Sequence, residues 1–168
     1  MTDPETLAAL ATAIEAEKQS LHNYLKFAWD TRDGSGKQMF IRLATDEFEH
    51  MRVLETWQGD RQPSAAIGPS IIERLVPRLS DKSLQIHGSE GQHQLSALNV
   101  ALDLELSARA FYEEQGRKAQ AEPARAMFVR LAEMEAAHYA LLQAEIDNIQ
   151  QTGFWFGLRE FTPESERS

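Results

Sequence analysis

The chain predicts an all-α fold: an antiparallel four-helix bundle with one long crossover between its second and third helices. Three observations predict it. Apolar residues recur three and four apart over four long stretches, the second half of the chain repeats the first, and a proline- and glycine-rich stretch (59–91) separates the halves. The repeat lies at an offset of 88, which sets Glu17 on Glu105, Tyr24 on Tyr112, Glu47 on Glu135 and His50 on His138. The same offset lays Met39-Phe40-Ile41-Arg42-Leu43-Ala44 over Met127-Phe128-Val129-Arg130-Leu131-Ala132, alike but for Ile against Val. That agreement marks an internal duplication, and what has been duplicated is a set of polar residues.

Thr2-Asp3-Pro4-Glu5 reads as a helix start: a capping side chain, a proline where its missing N–H does no harm, then an acid. The apolar face that follows, Leu7, Leu10, Ile14, Leu21, Tyr24 and Ala28, lacks one member, and Glu17 sits in that seat. Asp33-Gly34-Ser35-Gly36 reads as a break, and a second helix is predicted over about Lys37–Gln58, closed by Gly59. Its stripe is Phe40, Leu43, Leu54 and Trp57, with Glu47 and His50 in the vacant seats. Prolines 63, 69 and 77 and glycines 59, 68, 88 and 91 make the next stretch a connection, in which Ile71–Val76 could form a short helix. A connection this long can cross the bundle and start the second hairpin parallel to helix 2.

The third helix is predicted over about Gln92–Ala119, with Leu95, Leu98, Leu102 and Tyr112 on its face and Glu105 in the core seat. Arg109 replaces the repeat's Leu21, so the halves are not perfect copies. After the second helix start at Ala121-Glu122-Pro123, the fourth helix carries Phe128, Leu131, Leu142 and Ile149, with Glu135 and His138 in its vacant seats. One domain is expected: a bundle over 1–152, built from 4–58 and 92–151 joined by 59–91, and an aromatic tail over 153–168. Phe154-Trp155-Phe156 is too apolar for solvent and is expected to cap the bundle or a partner subunit.

Composition narrows the chemistry. Apolar residues are 42 % and charged residues 26 % of the 168, a globular balance, and no apolar run approaches the length of a membrane helix. Cysteine is absent, which excludes disulfides, thiolate chemistry and any built-in Cys-ligated iron centre. A net charge of −9 disfavours nucleic acid and anionic membranes as partners and suits metal cations. The N-terminal residues do not read as a signal peptide, so a cytoplasmic location is expected.

Positions three or four apart share a helix face, so Glu47 with His50 and Glu135 with His138 each point one way. Glu47 follows Glu17 by 30 residues and Glu135 follows Glu105 by 30, which sets both hairpins at matching heights. All six side chains should meet at one level of the core. An isolated buried ion carries a desolvation penalty of several kcal/mol, and two imidazoles cannot neutralise four acids. Two divalent cations can. Oxygen and nitrogen ligands without sulfur suit iron or manganese, and one Glu from each of two helices with Glu-x-x-His from each of the others is the di-metal bundle arrangement. Tyr24 and Tyr112 are read either as ordinary core residues or as donors to ligating carboxylates. His22, His87 and His93 have no repeat partner, and Glu15, Asp46, Glu49 and Glu133 lie off the stripes and read as solvated charge.

Ala13-Ile14-Glu15-Ala16-Glu17-Lys18 leading to Tyr24, with the Arg-Leu-Ala…Glu-x-x-His segments of both halves, resembles the rubrerythrin family of the ferritin-like superfamily. The resemblance covers about 4–150. It implies a non-haem di-iron centre, with manganese or a mixed pair as alternatives, held by Glu17, Glu47, His50, Glu105, Glu135 and His138. It further implies a peroxidase acting on hydrogen peroxide or dioxygen in oxidative-stress defence, and a homodimer. Two departures stand out. Rubrerythrins carry a Cys-ligated rubredoxin domain, so here an external electron-donor protein is implied; and Ala108 occupies the place of an extra family glutamate. The alternative function is ferroxidase or iron-storage activity, in which iron is itself the substrate.

Overall fold

The computed structural model describes residues 4–59, 75–79 and 88–160, with side chains described for 4–59 and 94–156. Four helices form two hairpins: α1 (Pro4–Asp30) with α2 (Gly34–Gln58), and α3 (Gly88–Lys118) with α4 (Glu122–Thr152). The bundle predicted from periodicity is present. A two-stranded antiparallel ribbon adds to it, pairing β1 (Leu75–Leu79) with β2 (Phe156–Glu160) from Leu75↔Glu160 to Leu79↔Phe156. The all-α class holds, with the short ribbon as an accessory to the bundle; only the expected short helix over Ile71–Val76 is corrected, because Leu75 and Val76 are strand, and residues 71–74 of that segment lie outside the described residues. The strand contains Pro77, which a two-stranded ribbon tolerates because each strand has a free edge.

Helix boundaries follow local chemistry. Asp33 is the N-cap of α2, its carboxylate accepting from the N–H groups of Ser35 at 2.8 Å and Gly36 at 3.0 Å. Gly34 and Gly36 therefore lie inside the helix rather than in a four-residue break. Pro123 sits in the first turn of α4, and Gly153 ends that helix at φ 78°, a left-handed conformation that favours glycine.

Side-chain contacts give the register of the helices. The Tyr24 hydroxyl reaches Glu105 and the Tyr112 hydroxyl reaches Glu17, so α1 and α3 run antiparallel. His50 lies against Glu135, and His138 against Glu47, so α2 and α4 are antiparallel too. It follows that α3 runs parallel to α2, the sense a long crossover allows.

The apolar core is split into two clusters. One gathers Phe40, Leu43, Leu98, Leu142, Ile146 and Trp155; the other gathers Leu10, Ile14, Leu54, Phe128 and Leu131. Tyr24 belongs to the first and Tyr112 to the second, and the repeat's polar residues fall between them. Trp155, fully buried, is an anchor for the C-terminal tail. Its indole stands edge-on to Phe40 at 5.9 Å between centroids, and its N–H donates to Gln94 Oε1 at 2.9 Å. The tail is further tied by Phe156, whose N–H donates to the buried Glu145 at 2.7 Å.

Trp155 reaches this position because residue 36 has no side chain: a Cβ there would stand 2.8 Å from the indole carbons. Gly36→Ala should therefore destabilise by about 1–3 kcal/mol through overpacking, against a helix-propensity gain of about 1 kcal/mol or less. Gly34→Ala is the control, since among the described residues nothing lies within 4 Å of its added Cβ. Urea midpoints should fall for the first and hold or rise for the second; a Gly36→Ala chain as stable as the parent would contradict this packing.

Candidate metal centre

Each helix contributes to one polar layer. α1 supplies Glu17 and Tyr24, α2 supplies Glu47 and His50, α3 supplies Glu105 and Tyr112, and α4 supplies Glu135 and His138. The four glutamates and two histidines are each no more than 2 % exposed. Glutamate and histidine disrupt neither stripe nor helix here, because each occupies a position where helical spacing turns it inward with its apolar neighbours.

Their ligand atoms fall into two overlapping sets, each within 4.8 Å: Glu17, Glu47, His50 and Glu135; and Glu105, Glu47, His138 and Glu135. Glu47 and Glu135 belong to both. Glu17 and Glu105 each serve one set, as do the histidines. The imidazoles are nearly parallel, 5.6 Å apart and 15° from coplanar, and each directs Nδ1 at the carboxylates. His50 Nδ1 lies 3.2 Å from Glu135 and 3.5 Å from Glu17; His138 Nδ1 lies 3.1 Å from Glu47 and 3.4 Å from Glu105. The tyrosines make reciprocal bonds across the duplication, Tyr24 donating to Glu105 Oε1 and Tyr112 to Glu17 Oε1. Of the two readings of these tyrosines, the structure shows them as donors to the carboxylates.

Among the described residues, seven buried atoms of this layer have no hydrogen-bond partner: Glu17 Oε2, Glu47 Oε1, Glu105 Oε2, Glu135 Oε1, Nδ1 of both histidines, and Nε2 of His50. Leaving a buried polar atom unpaired costs about 1–3 kcal/mol, and more when it is charged. Leaving aside Nε2 of His50, on the far side of its ring, one such atom comes from each of the six residues of the two sets. Two divalent cations would satisfy them and balance four carboxylates, so the donor set fits a two-metal centre.

Without metal the layer holds protons. Burial and the neighbouring Glu135 raise the Glu105 carboxyl to about 8, and burial with Glu135 and Glu17 raises Glu47 well above its usual range. Burial opposes charging the histidines, but carboxylates outweigh it: Glu17 and Glu135 hold His50 well up, and Glu105 does the same for His138. Glu135 moves the other way. Burial would raise it, but His50 and then the close approach of His138 Nδ1, at 3.3 Å, hold it well below the usual range.

One residue expected in solvent is in the site. Asp46 is buried, and its Oδ2 lies 3.2 Å from Nε2 of His138. Its spacing was informative, because it follows Leu43 by three and precedes His50 by four, placing it on the edge of the same face. Glu15, Glu49 and Glu133 are exposed and pair with Lys18, Arg52 and Arg130. His22 is exposed, and the side chains of His87 and His93 lie outside the described residues. Glu145, not singled out by sequence, is buried beside the tail, and burial raises its carboxyl to about 8.

Comparison with known proteins bears directly on this arrangement. Residues 96–156 match the rubrerythrin family model. The match spans α4 and most of α3, which carry Glu105, Glu135 and His138, and the internal repeat sets Glu17, Glu47 and His50 in the corresponding places of the first hairpin. The rubrerythrin resemblance read from the motifs thus has independent support. A solved structure of a hypothetical protein from Pyrococcus furiosus is similar at 22 % identity, with a TM-score of 0.67 over 87 % of this chain and 90 % of that one. That likeness supports the fold. A search of curated proteins finds no match.

The proton load gives the metal-free protein a defined pH dependence. Glu105 shifts from an ordinary 4.5 to about 8, so between those values the folded chain keeps a proton the unfolded chain has released, and stability falls as pH rises. The raised histidines act in the same sense above 6.5, while Glu135 contributes stability that is lost on acidification. Glu145 adds a similar fall that metal cannot relieve. Thermal melts from about pH 5 to about pH 9 should show a steeper decline for chelated than for metal-loaded protein, the difference shrinking in Glu105→Gln. Parallel slopes would contradict the electrostatics described.

Proposed function

We propose that this protein is a rubrerythrin-like non-haem di-iron oxidoreductase that reduces hydrogen peroxide with electrons from an external donor protein. The observation that carries the proposal is the pair of ligand sets sharing Glu47 and Glu135, each with Oε and Nδ1 atoms buried without a hydrogen-bond partner among the described residues. Glu17 and His50 would hold one iron and Glu105 and His138 the other, with Glu47 and Glu135 bridging. Iron is favoured over manganese by the family match; a pair of irons supplies two electrons, the number needed to convert one peroxide to two waters.

The chain's own part is to position, shield and manage protons. Apolar layers on either side keep bulk water from the polar layer. Tyr24 and Tyr112 hold Glu105 and Glu17 through one oxygen each, leaving the other oxygen facing the centre. Glu47, Glu105 and the histidines favour their protonated forms in the metal-free layer and would release protons on metal loading, which supports a layer able to hold protons close to the centre. Ala108, partly buried, adds no carboxylate, so the four glutamates of the layer would hold the metals, a set that would stabilise ferric iron less than five carboxylates. These 168 residues hold no cysteine for a thiolate-ligated iron centre, which supports the proposal of an external donor. Among the described residues no helix is long and apolar enough to cross a membrane, and the proposed setting is a cytoplasmic homodimer.

Elemental analysis should find two irons per chain, and the reduced protein should react faster with hydrogen peroxide than with dioxygen in stopped-flow mixing. Sustained turnover should require an added electron donor. Equal or faster reaction with dioxygen, with iron accumulating in a large shell on a sizing column, would overturn the peroxidase and favour the iron-storage reading.

A further inference from the structure

The duplication makes the two halves of the polar layer alike, position by position, with one break beside the histidines. Glu17 answers Glu105, Tyr24 answers Tyr112, Glu47 answers Glu135 and His50 answers His138. Asp46 is answered by Met134, at the same offset of 88, and both are buried. The consequence is visible on the far side of each imidazole. Nε2 of His138 has Asp46 Oδ2 at 3.2 Å, whereas Nε2 of His50 is buried with no hydrogen-bond partner among the described residues.

We infer that the two metal positions are unequal, that the His138 position binds metal more tightly and fills first, and that Asp46 is the positioning residue responsible. The inference rests on the metal-centre reading above. A carboxylate on Nε2 keeps the proton there, which frees the Nδ1 lone pair for metal, fixes the ring plane and makes Nδ1 a stronger donor. His138 has all three benefits. His50 must give up a hydrogen bond at Nε2 in whichever tautomer it adopts, and among the described residues no side chain holds its ring from the Nε2 side. Loss of such a partner typically lowers metal affinity by about 10–100-fold. Metal at the His50 position, completed by Glu17, is thus the more readily exchanged.

Two cations sharing Glu47 and Glu135 repel each other in any order of filling, so a two-step isotherm alone would not identify the cause. The identity of the first histidine to bind does. The experiment uses the full metal-free chain with ¹⁵N-labelled histidine, titrated with Zn²⁺ alone, with imidazole signals assigned by single-histidine replacement. At one equivalent the His138 signals should move to their bound positions while those of His50 remain, following only at the second. Asp46→Met should abolish the order and weaken the first step by about 10–100-fold. Met134→Asp, which gives His50 a carboxylate at the matching position, should strengthen the second step until both rings bind together; this variant tests the idea even if Asp46→Met folds poorly. His50 moving first, both rings moving together in the parent chain, or an order unchanged in either variant that folds would overturn the inference. If neither ring moves in excess Zn²⁺, the metal-centre reading fails with it.

Discussion

Four carboxylates and two imidazoles lie in the middle of a core that is apolar on either side of them, and the structure can be understood as the consequence of keeping them there. Each isolated ion would carry a desolvation penalty of several kcal/mol, a large fraction of the 5–15 kcal/mol or so by which a domain is stable. In the metal-free chain, protons carry part of that load, which is why Glu47 and Glu105 titrate so high. The rest is carried by geometry. Tyr24 and Tyr112 each satisfy an oxygen of a glutamate from the opposite half, so the two hairpins are stitched together by hydrogen bonds on either side of the polar layer.

Much of this was legible in the sequence because a polar residue in an apolar stripe is a visible exception. Glu17, Glu47, His50, Glu105, Glu135 and His138 each occupy a vacant seat, and the offset of 88 supplies the register that a single helix cannot. Asp46 was not read because it lies at the edge of its face, where periodicity alone does not separate a buried residue from a solvated one. Its role depends on the opposing helix, on which His138 sits 92 positions away. The ribbon escaped for a similar reason: five residues containing a proline carry little strand signal, and their partner is some 80 residues downstream. Trp155 could be read as buried, but not that a missing side chain at Gly36 receives it.

The duplication also explains how the centre is both symmetric and uneven. Two copies of one hairpin give matching glutamates, histidines and tyrosines, and hence two equivalent ligand sets around shared carboxylates. Divergence has since fallen on the periphery, as at Arg109, which is exposed and pairs with Glu113 at 2.8 Å where the first half has the partly buried Leu21. Only a change behind a histidine, such as Asp46 against Met134, alters the metal positions without altering their ligands. A duplicated site can in this way acquire two different ions' worth of behaviour from one ancestral ligand set.

The central claim is that two cations complete this layer. It is tested most directly by anomalous diffraction at the iron edge from crystals of the anaerobically iron-loaded protein. Two peaks are expected about 3.5–4 Å apart, the usual separation of a two-metal site, with Glu47 and Glu135 contacting both and Nδ1 of His50 and His138 contacting one each. A layer without anomalous density, or with iron only at surface carboxylates while Glu17 and Glu105 keep their tyrosine bonds around an empty centre, would contradict it.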